Sequence, residues 1–183
     1  IAVSVGVALA HNRMDAVTSA RVAGFEADTL DVGGALAVTA STESDDESDA
    51  LEITSTSVAA SIAVGGGVYL GLAIAGAGAD ARNTIGGETT AEVTDVAAGD
   101  AGSLTVTATN AAKIDAEVVA ASVAVGVGGK GPGIAASIGA VFVSNRIGTE
   151  SDSFDVTARL RDARLDVADA ATLTAETDSE ITA

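Results

Sequence analysis

The feature that most constrains this chain is an uncharged segment that occurs twice. Val58–Gly65 reads VAASIAVG, and Val119–Gly126 reads VAASVAVG. The first copy opens a longer run, from Val58 to Asn83, of small and β-branched residues that ends in polar ones. Self-similarity at a fixed spacing is the signature of a repeat architecture, in which each unit buries its apolar side against its neighbours. We therefore interpret the chain as an array of repeats.

Two segments outside these copies alternate with the period of a β-strand. In the segment Leu36–Ser41, the residues Leu36, Val38 and Ala40 share one face, and polar or small residues share the other. A similar alternation recurs in Leu104–Thr109. A period of two places successive side chains on opposite faces of a strand. Both segments are therefore predicted strands.

These patterns predict an all-β fold, a right-handed parallel β-solenoid built from about three imperfect repeats of about 65 residues. The chain is a single solenoid segment over residues 1–183, with approximate units 1–61, 62–122 and 123–183. We expect each unit to hold about three turns of about 20 residues, because stacked parallel strands need only a short strand per face and turn. Both ends of the sequence read as strand interior, so we expect a segment of a longer array.

The composition favours a narrow interior. Among 183 residues there are one Tyr and three Phe, with no Trp and no Cys, whereas Gly occurs 21 times. A globular core of this size is normally filled by larger side chains, and small ones suit a regularly layered interior. We expect inward layers of Val, Ile, Leu and Ala to carry the stability. The absence of Cys also excludes disulfides and thiolate metal sites.

Polar residues after the apolar runs predict the structural corners of the solenoid. Asn12, Asn83 and Asn145 each follow an apolar stretch, and asparagine adopts left-handed backbone angles at low cost. Gly86 and Gly148 come three residues after two of these asparagines. Glycine adopts the same backbone angles without a steric penalty. We expect the chain to turn at these five positions.

The charge excludes one large class of partner. The formal net charge is −17 and the sequence pI is about 4.1. Nucleic acids and anionic lipid surfaces are bound by clustered Lys and Arg, which neutralise phosphates. Nucleic acid is therefore not an expected partner. An excess of carboxylates keeps a surface hydrated in salty water, which suits a secreted protein.

Two segments invite other interpretations. Ile53–Ala79 carries no charge and is long enough to cross a bilayer as a helix, but its glycines each cost about 1 kcal/mol in a helix, so no membrane span is predicted. Thr105, Thr107 and Thr109 share one face, as in the threonine arrays of ice-binding solenoids. Such arrays need threonines on adjacent turns, whereas units of three turns would place equivalent threonines only once per unit. Outward threonine is otherwise simply a good strand former.

The sequence offers few candidates for metal binding or catalysis. The acidic run Thr42–Asp49 could bind Ca²⁺ through oxygen ligands, with the candidates Asp45, Asp46, Glu47 and Asp49, but it lacks the glycine-spaced pattern of known calcium loops. A solvated loop is the better interpretation. His11 is the sole histidine, which leaves no support for a metal site or a catalytic relay. GGKGPG at 128–133 lacks the residue order of a phosphate loop. No cofactor is expected.

The order of these motifs resembles that of a known class of proteins. A VAAS[IV]AVG strand, a strand that ends in an Asn corner, and an Ala-Gly-x-[LV]-x-V-x-A strand are similar to the repeats of giant bacterial surface and secreted proteins. These are the filamentous-haemagglutinin-like and leukotoxin-type filamentous adhesins. The matching segments are Val119–Gly126, Gly139–Gly148 and Gly102–Ala108. The resemblance implies an extended β-solenoid on the outside of a bacterium, serving adhesion or forming part of a fibre, and it brings no catalytic residues.

The expected function is therefore mechanical. The chain is predicted to be a non-catalytic shaft segment of a large extracellular filament or surface adhesin. Its partners would be neighbouring repeats of the same chain, other copies of the filament, and an unidentified host or surface ligand. A first alternative is a fibre-forming subunit that associates laterally through its uncharged stripes. A β-helix that acts on polysaccharide is a further alternative, but it would need paired carboxylates and aromatic side chains, and the aromatics are few.

Overall fold

The computed structural model describes residues 1–25, 30–42, 51–150 and 152–183. These residues form nine β-strands, and nothing among them forms a helix that could span a membrane. Ile53–Ala79, the run long enough to be such a helix, lies in two strands and the turn between them. The strands are β1 (Ala2–Phe25), β2 (Leu30–Ser41), β3 (Leu51–Gly67), β4 (Gly71–Val96), β5 (Gly99–Gly128), β6 (Gly133–Ile147), β7 (Phe154–Ala163), β8 (Asp166–Val167) and β9 (Ala171–Thr182).

The chain alternates between two sheets in which all pairing is parallel. In the first sheet β4 is central, with β1 on one side and β6 and β7 on the other. In the second sheet β5 is central, and β2, β3, β8 and β9 pair with it. The all-β class and the parallel pairing expected from the sequence are thus confirmed.

One passage through both sheets uses a whole repeat. Val58 pairs directly with Val119, so the two VAAS copies are hydrogen-bonded neighbours on β3 and β5. In the first sheet, Asn12 pairs with Asn83 and Asn83 with Asn145. The expected 20-residue turns are therefore wrong. The strands are longer than expected because no proline interrupts the alternating runs, so each continues across the body.

The bend that ends the first-sheet strands lies at another position than the sequence suggested. Gly24, Asp95 and Asp162 all have positive φ, of 79°, 55° and 49°. The register places them at equivalent positions, one residue before Phe25, Val96 and Ala163. Aspartate, like asparagine, enters this region more readily than most residues. Each time the chain leaves the first sheet, it therefore does so through a residue with left-handed backbone angles at the same position in the register.

One end of the body, which we call the wide end, has large side chains between the sheets. Val93 and Val96 of the first sheet pack with Leu104 and Val106 of the second. All four are almost completely buried. Ile85 and Ile114 form a second fully buried cluster farther along. This part of the molecule has the inward aliphatic layers that the sequence predicts.

The opposite end, which we call the thin end, has a different interior. It comprises residues 2–10, 55–67, 71–81, 116–128 and 133–143. Small side chains face inward there, and the backbones of the two sheets approach closely. A Cβ added at Gly126 would lie 2.3 Å from the carbonyl oxygen of Ile134, and one at Gly71 would lie 2.1 Å from that of Val127. The buried alanines there are Ala59, Ala63, Ala73, Ala75, Ala77, Ala79, Ala81 and Ala116.

At the thin end the large aliphatic residues face outward. Val3, Val5 and Val7 of β1 are mostly exposed, and so are Ile62 and Ile138 on β3 and β6. The expectation that Val and Ile would fill the interior throughout is wrong here. The alternation itself is as expected, but mostly small residues (Gly, Ala and Ser) occupy the inward positions, because the backbones of the two sheets lie close together.

We predict that Gly126→Ala destabilises the fold and that Gly78→Ala does not. The new methyl group at 126 meets backbone atoms of the facing sheet, so the free energy of unfolding should fall by about 2–3 kcal/mol. A Cβ at Gly78 meets nothing within 4 Å, and alanine is favoured over glycine in a strand by about 0.5–1 kcal/mol. Urea unfolding of both variants measures the difference. Equal effects at the two positions would contradict the close approach of the sheets.

Candidate functional site

A ladder of asparagines crosses the first sheet between the thin and wide ends. Asn12 Nδ2 donates to Asn83 Oδ1 at 2.8 Å, and Asn83 Nδ2 donates to Asn145 Oδ1 at 2.8 Å. Asn83 is completely buried. All three lie inside strands and not at corners, which corrects the role that the sequence suggested. Their shared position was correctly identified, but it carries a hydrogen-bond ladder.

The asparagine ladder has a direction and an open end. Each rung donates to the next turn along the chain, from Asn12 to Asn83 and from Asn83 to Asn145. Among the described residues, Asn145 Nδ2 is a buried donor atom with no hydrogen-bond partner. A buried donor without a partner is costly, and nearly all such groups in folded proteins are satisfied.

The two predicted corner glycines have different environments. Gly148 follows β6, has a φ of 70°, and donates its N–H to the carbonyl of Ile85 at 2.9 Å. It thus lies where the chain leaves β6 before β7. Gly86 is inside β4, and a Cβ there would come 3.1 Å from the Cβ of Asp152. Gly148 therefore lies at a bend, whereas Gly86 lies at a close contact between turns.

An ionic ladder stabilises the outer face of the first sheet at the wide end. Arg21, Glu92 and Arg159 are paired in register on β1, β4 and β7. Arg21 Nε lies 2.9 Å from Glu92 Oε1, and Arg159 Nε lies 2.6 Å from Glu92 Oε2. The Glu92 side chain is only 9% exposed. The sequence analysis missed this ladder, although alignment at one repeat per turn would have shown an acid flanked by two arginines.

A second charged group lies beside the asparagine ladder. Asp80 accepts hydrogen bonds from Arg82, with Nη2 at 3.0 Å, and lies 3.3 Å from His11 Nε2. The Arg82 guanidinium holds the pKa of Asp80 below its ordinary value, against the opposing effect of burial, and His11 adds to the lowering. His11 also borders a shallow depression of about 430 Å³, which is lined by His11, Asn12, Arg13, Met14, Glu52, Ile53 and Thr54. Within it the Thr54 hydroxyl donates a hydrogen bond to Glu52 Oε1 at 3.2 Å.

Threonines form short columns on the second sheet. Thr39, Thr107 and Thr174 pair in register on β2, β5 and β9. The objection that equivalents would not fall on adjacent turns is therefore wrong, since neighbouring strands lie about 4.8 Å apart. The next column, Ser41, Thr109 and Glu176, ends in a carboxylate. The array is thus limited to a few side chains.

The candidate calcium ligands are four carboxylates of the acidic run Thr42–Asp49. Asp45, Asp46, Glu47 and Asp49 lie outside the described residues. Within the parts of the chain that are described, no three His, Cys, Asp or Glu side chains are grouped so as to hold a metal ion. Calcium binding therefore stays a prediction from the sequence.

The largest candidate surface is apolar and covers both outer faces of the thin end. On the first sheet it consists of the outward residues of β1, β4 and β6 from Ile1 to Leu9, Leu72 to Gly78 and Ile134 to Phe142. We call this part, on the outer face of the first sheet, the apolar slab. The second sheet has a narrower counterpart, with Val58, Ile62, Val64, Val119, Val123, Val125 and Val127 exposed. Apolar patches of several hundred Å² on a soluble protein generally mark interaction sites.

Comparison with known proteins gives no match. No family model, no curated protein and no solved structure is significantly similar to this chain. The function must therefore be argued from the surfaces and ladders above.

We predict that Asn83→Ala costs more stability than Asn12→Ala. The change at Asn83 breaks two hydrogen bonds and leaves the donor of Asn12 and the acceptor of Asn145 without a partner, so the free energy of unfolding should fall by about 2–4 kcal/mol. Asn12→Ala, at the exposed end of the ladder, removes one hydrogen bond, at a cost of about 1 kcal/mol. Denaturant unfolding of both variants gives the comparison. If the two losses were the same, the ladder would not act as a connected unit.

We predict that Glu92→Gln destabilises the protein in a salt-dependent manner. The change keeps the volume but removes the charge that two arginines share, at a cost of about 1–2 kcal/mol. Because the arginines are half exposed, added salt should reduce this cost. Glu88→Gln is the matched control, since Glu88 is exposed on the same strand. Among the described residues, its carboxylate accepts a hydrogen bond only from Thr90. The change at Glu88 should alter the free energy of unfolding by no more than about 0.5 kcal/mol. Thermal unfolding of both variants at low and high salt measures these effects. If the two variants lowered the melting temperature equally at both salt concentrations, the assignment of the ionic ladder would be wrong.

Proposed function

We propose that this chain is a non-catalytic shaft segment of an extracellular bacterial filament or surface adhesin, a right-handed parallel β-solenoid extended by further turns. The observation that carries the proposal is the open end of the asparagine ladder. Asn145 offers a buried donor in the direction in which the chain would stack its next turn. A ladder built in this way has no natural last member, as a shaft requires.

The register of the sheets supports the same role. β1 lies on one side of the central β4, and β6 and β7 lie on the other. Each added turn can therefore pair with the outermost strand through the same parallel ladder, which satisfies the backbone groups of both. The shaft holds its shape through pairing and side-chain ladders, without disulfides.

The location and the ligand of the shaft rest on the sequence. The motif order that resembles the giant adhesins and the acidic composition favour a bacterial surface. A host or surface ligand would be bound by another part of the same filament or adhesin. A polysaccharide-acting enzyme is disfavoured by the scarcity of aromatic side chains, which such sites use to stack sugars.

A second candidate function is supported by the exposed aliphatic faces. Side chains such as Val5, Ile62 and Ile138 are mostly exposed on the two outer faces of the thin end. A single isolated shaft would leave these faces in water. The chain would then be a fibre-forming subunit, in which shafts associate laterally as well as lengthen. The two functions are compatible, because stacking uses the sheet edges and lateral association uses the sheet faces.

We predict that two copies of the chain form one continuous stack when they are joined in register. The linker should repeat residues 117–133, since Thr182 pairs with Asp115 and Gly133 precedes the equivalent of Ile1. Three added turns at about 4.8 Å each should lengthen the stacking axis by about 14 Å. Small-angle X-ray scattering measures this dimension. Two separate bodies joined by a flexible linker would refute the shaft.

A further inference from the structure

The glycines of the thin end fall into two groups. Inward glycines such as Gly71 and Gly126 are required by the facing backbone, as their missing Cβ atoms would collide with it. Gly76 and Gly78 face outward on the central strand β4, and a Cβ at either meets nothing within 4 Å. Their backbone is ordinary extended strand, where glycine is disfavoured. Nothing within the described chain requires these two glycines, and a glycine of this kind often marks a close approach from outside.

The two outward glycines form the floor of a groove. Val5 and Val7 pair in register with Gly76 and Gly78 and form a ridge along β1. Ile138 pairs with Gly76 from the other side and forms the opposite wall on β6. Val5, Val7 and Ile138 are each about two-thirds to three-quarters exposed. The apolar slab therefore presents a ridge and a groove of similar length side by side, which is the form of a self-complementary surface.

The area of the slab can be compared with what a stable contact needs. Nine residues at about 3.3 Å and three strands at about 4.8 Å give about 430 Å² for each copy, or about 860 Å² for a pair. Specific interfaces bury at least about 1,000 Å² in total. Association of two chains of this length should thus be weak. Each added turn contributes about 150 Å² per copy, so the contact strengthens as the shaft lengthens.

The distribution of charge selects the orientation. Residues 1–10 carry no charge, and neither do residues 53–79, 118–129 and 131–144, whereas the whole chain has a net charge of −17. Among the described residues, most carboxylates thus lie toward the wide end, with Asp80 and Glu117 as exceptions. Two copies that pointed the same way would place these wide ends side by side and repel each other. A twofold arrangement of opposite direction overlaps the thin ends and separates the acidic ends, and it lets the same patch serve both copies.

We propose that the apolar slab docks a second copy of this chain, with the Val5–Val7 ridge of each copy in the Gly76–Gly78 groove of the other and the acidic wide ends pointing apart. The inference deepens the lateral association proposed above and names its surface and partner. The slab is about 30 Å long, which also matches the hydrocarbon thickness of a bilayer. Insertion would bury the outer backbone edges of β1 and β6 without partners, which is costly in lipid. When two copies pair through their faces instead, those edges stay in water or pair with the next turn.

The test is the self-association of the 183-residue chain, measured by sedimentation velocity over a wide concentration range. Val5→Lys and Val17→Lys are a matched pair, because both residues point outward from β1 and are 73% and 75% exposed, and both changes alter the net charge equally. Only Val5 lies in the slab. We expect wild type and Val17→Lys to associate alike, and Val5→Lys to shift the association midpoint by at least about tenfold.

A second variant tests the groove without adding charge. Gly78→Val fills the groove with a side chain that has open space in the monomer, and it should weaken association similarly while circular dichroism shows an unchanged strand content. The proposal is overturned if wild type stays monomeric at every soluble concentration, if Val5→Lys and Val17→Lys behave alike, or if the chain binds phosphatidylcholine vesicles without associating with itself. A folded chain that stays monomeric would still leave the stacked shaft intact, since the scattering of the joined copies tests that role separately.

Discussion

The close approach of the two sheets at the thin end is the constraint on which the rest of the molecule depends. Backbones that lie so near to each other leave room mainly for small side chains between them, which explains glycine at Gly71 and Gly126 and the rows of inward alanine. Because side chains alternate along a strand, the residues between these small ones must face outward. In this sequence most of them are Val, Ile and Leu. The thin interior and the apolar exterior are therefore two consequences of one pattern.

The wide end shows what happens when the small residues are replaced. There Val93 and Leu104 fill the space between the sheets, and the outer face carries charged side chains such as Arg21 and Glu92. The asparagine ladder lies near the change from one interior to the other. Its amides satisfy one another across the turns, so a polar group can be buried at a place where neither alanine nor isoleucine packing is continuous. Each ladder in the molecule joins residues of neighbouring turns, and the same geometry lets the stack extend.

The division into a thin and a wide end also separates two kinds of contact. The edges of the sheets offer backbone groups, which suit another turn of the same chain. The faces of the thin end offer aliphatic side chains, which suit a second apolar surface. The charged wide end offers neither, and the net charge of −17 keeps it hydrated. A filament built from such units would lengthen along one direction and associate along another.

The sequence by itself determined the strand class and indicated which similar segments pair. The period-two alternation and the copies at Val58 and Val119 are local or self-referential signals, and these copies are indeed hydrogen-bonded neighbours. It could not determine how many turns one repeat contains, because a long alternating run reads the same whether the chain bends within it or continues. Nor could it decide which face of each strand points inward. That choice depends on the distance between the sheets, which placed alanine inside and valine outside at one end, and the ionic pairing of Arg21, Glu92 and Arg159 followed only from the register.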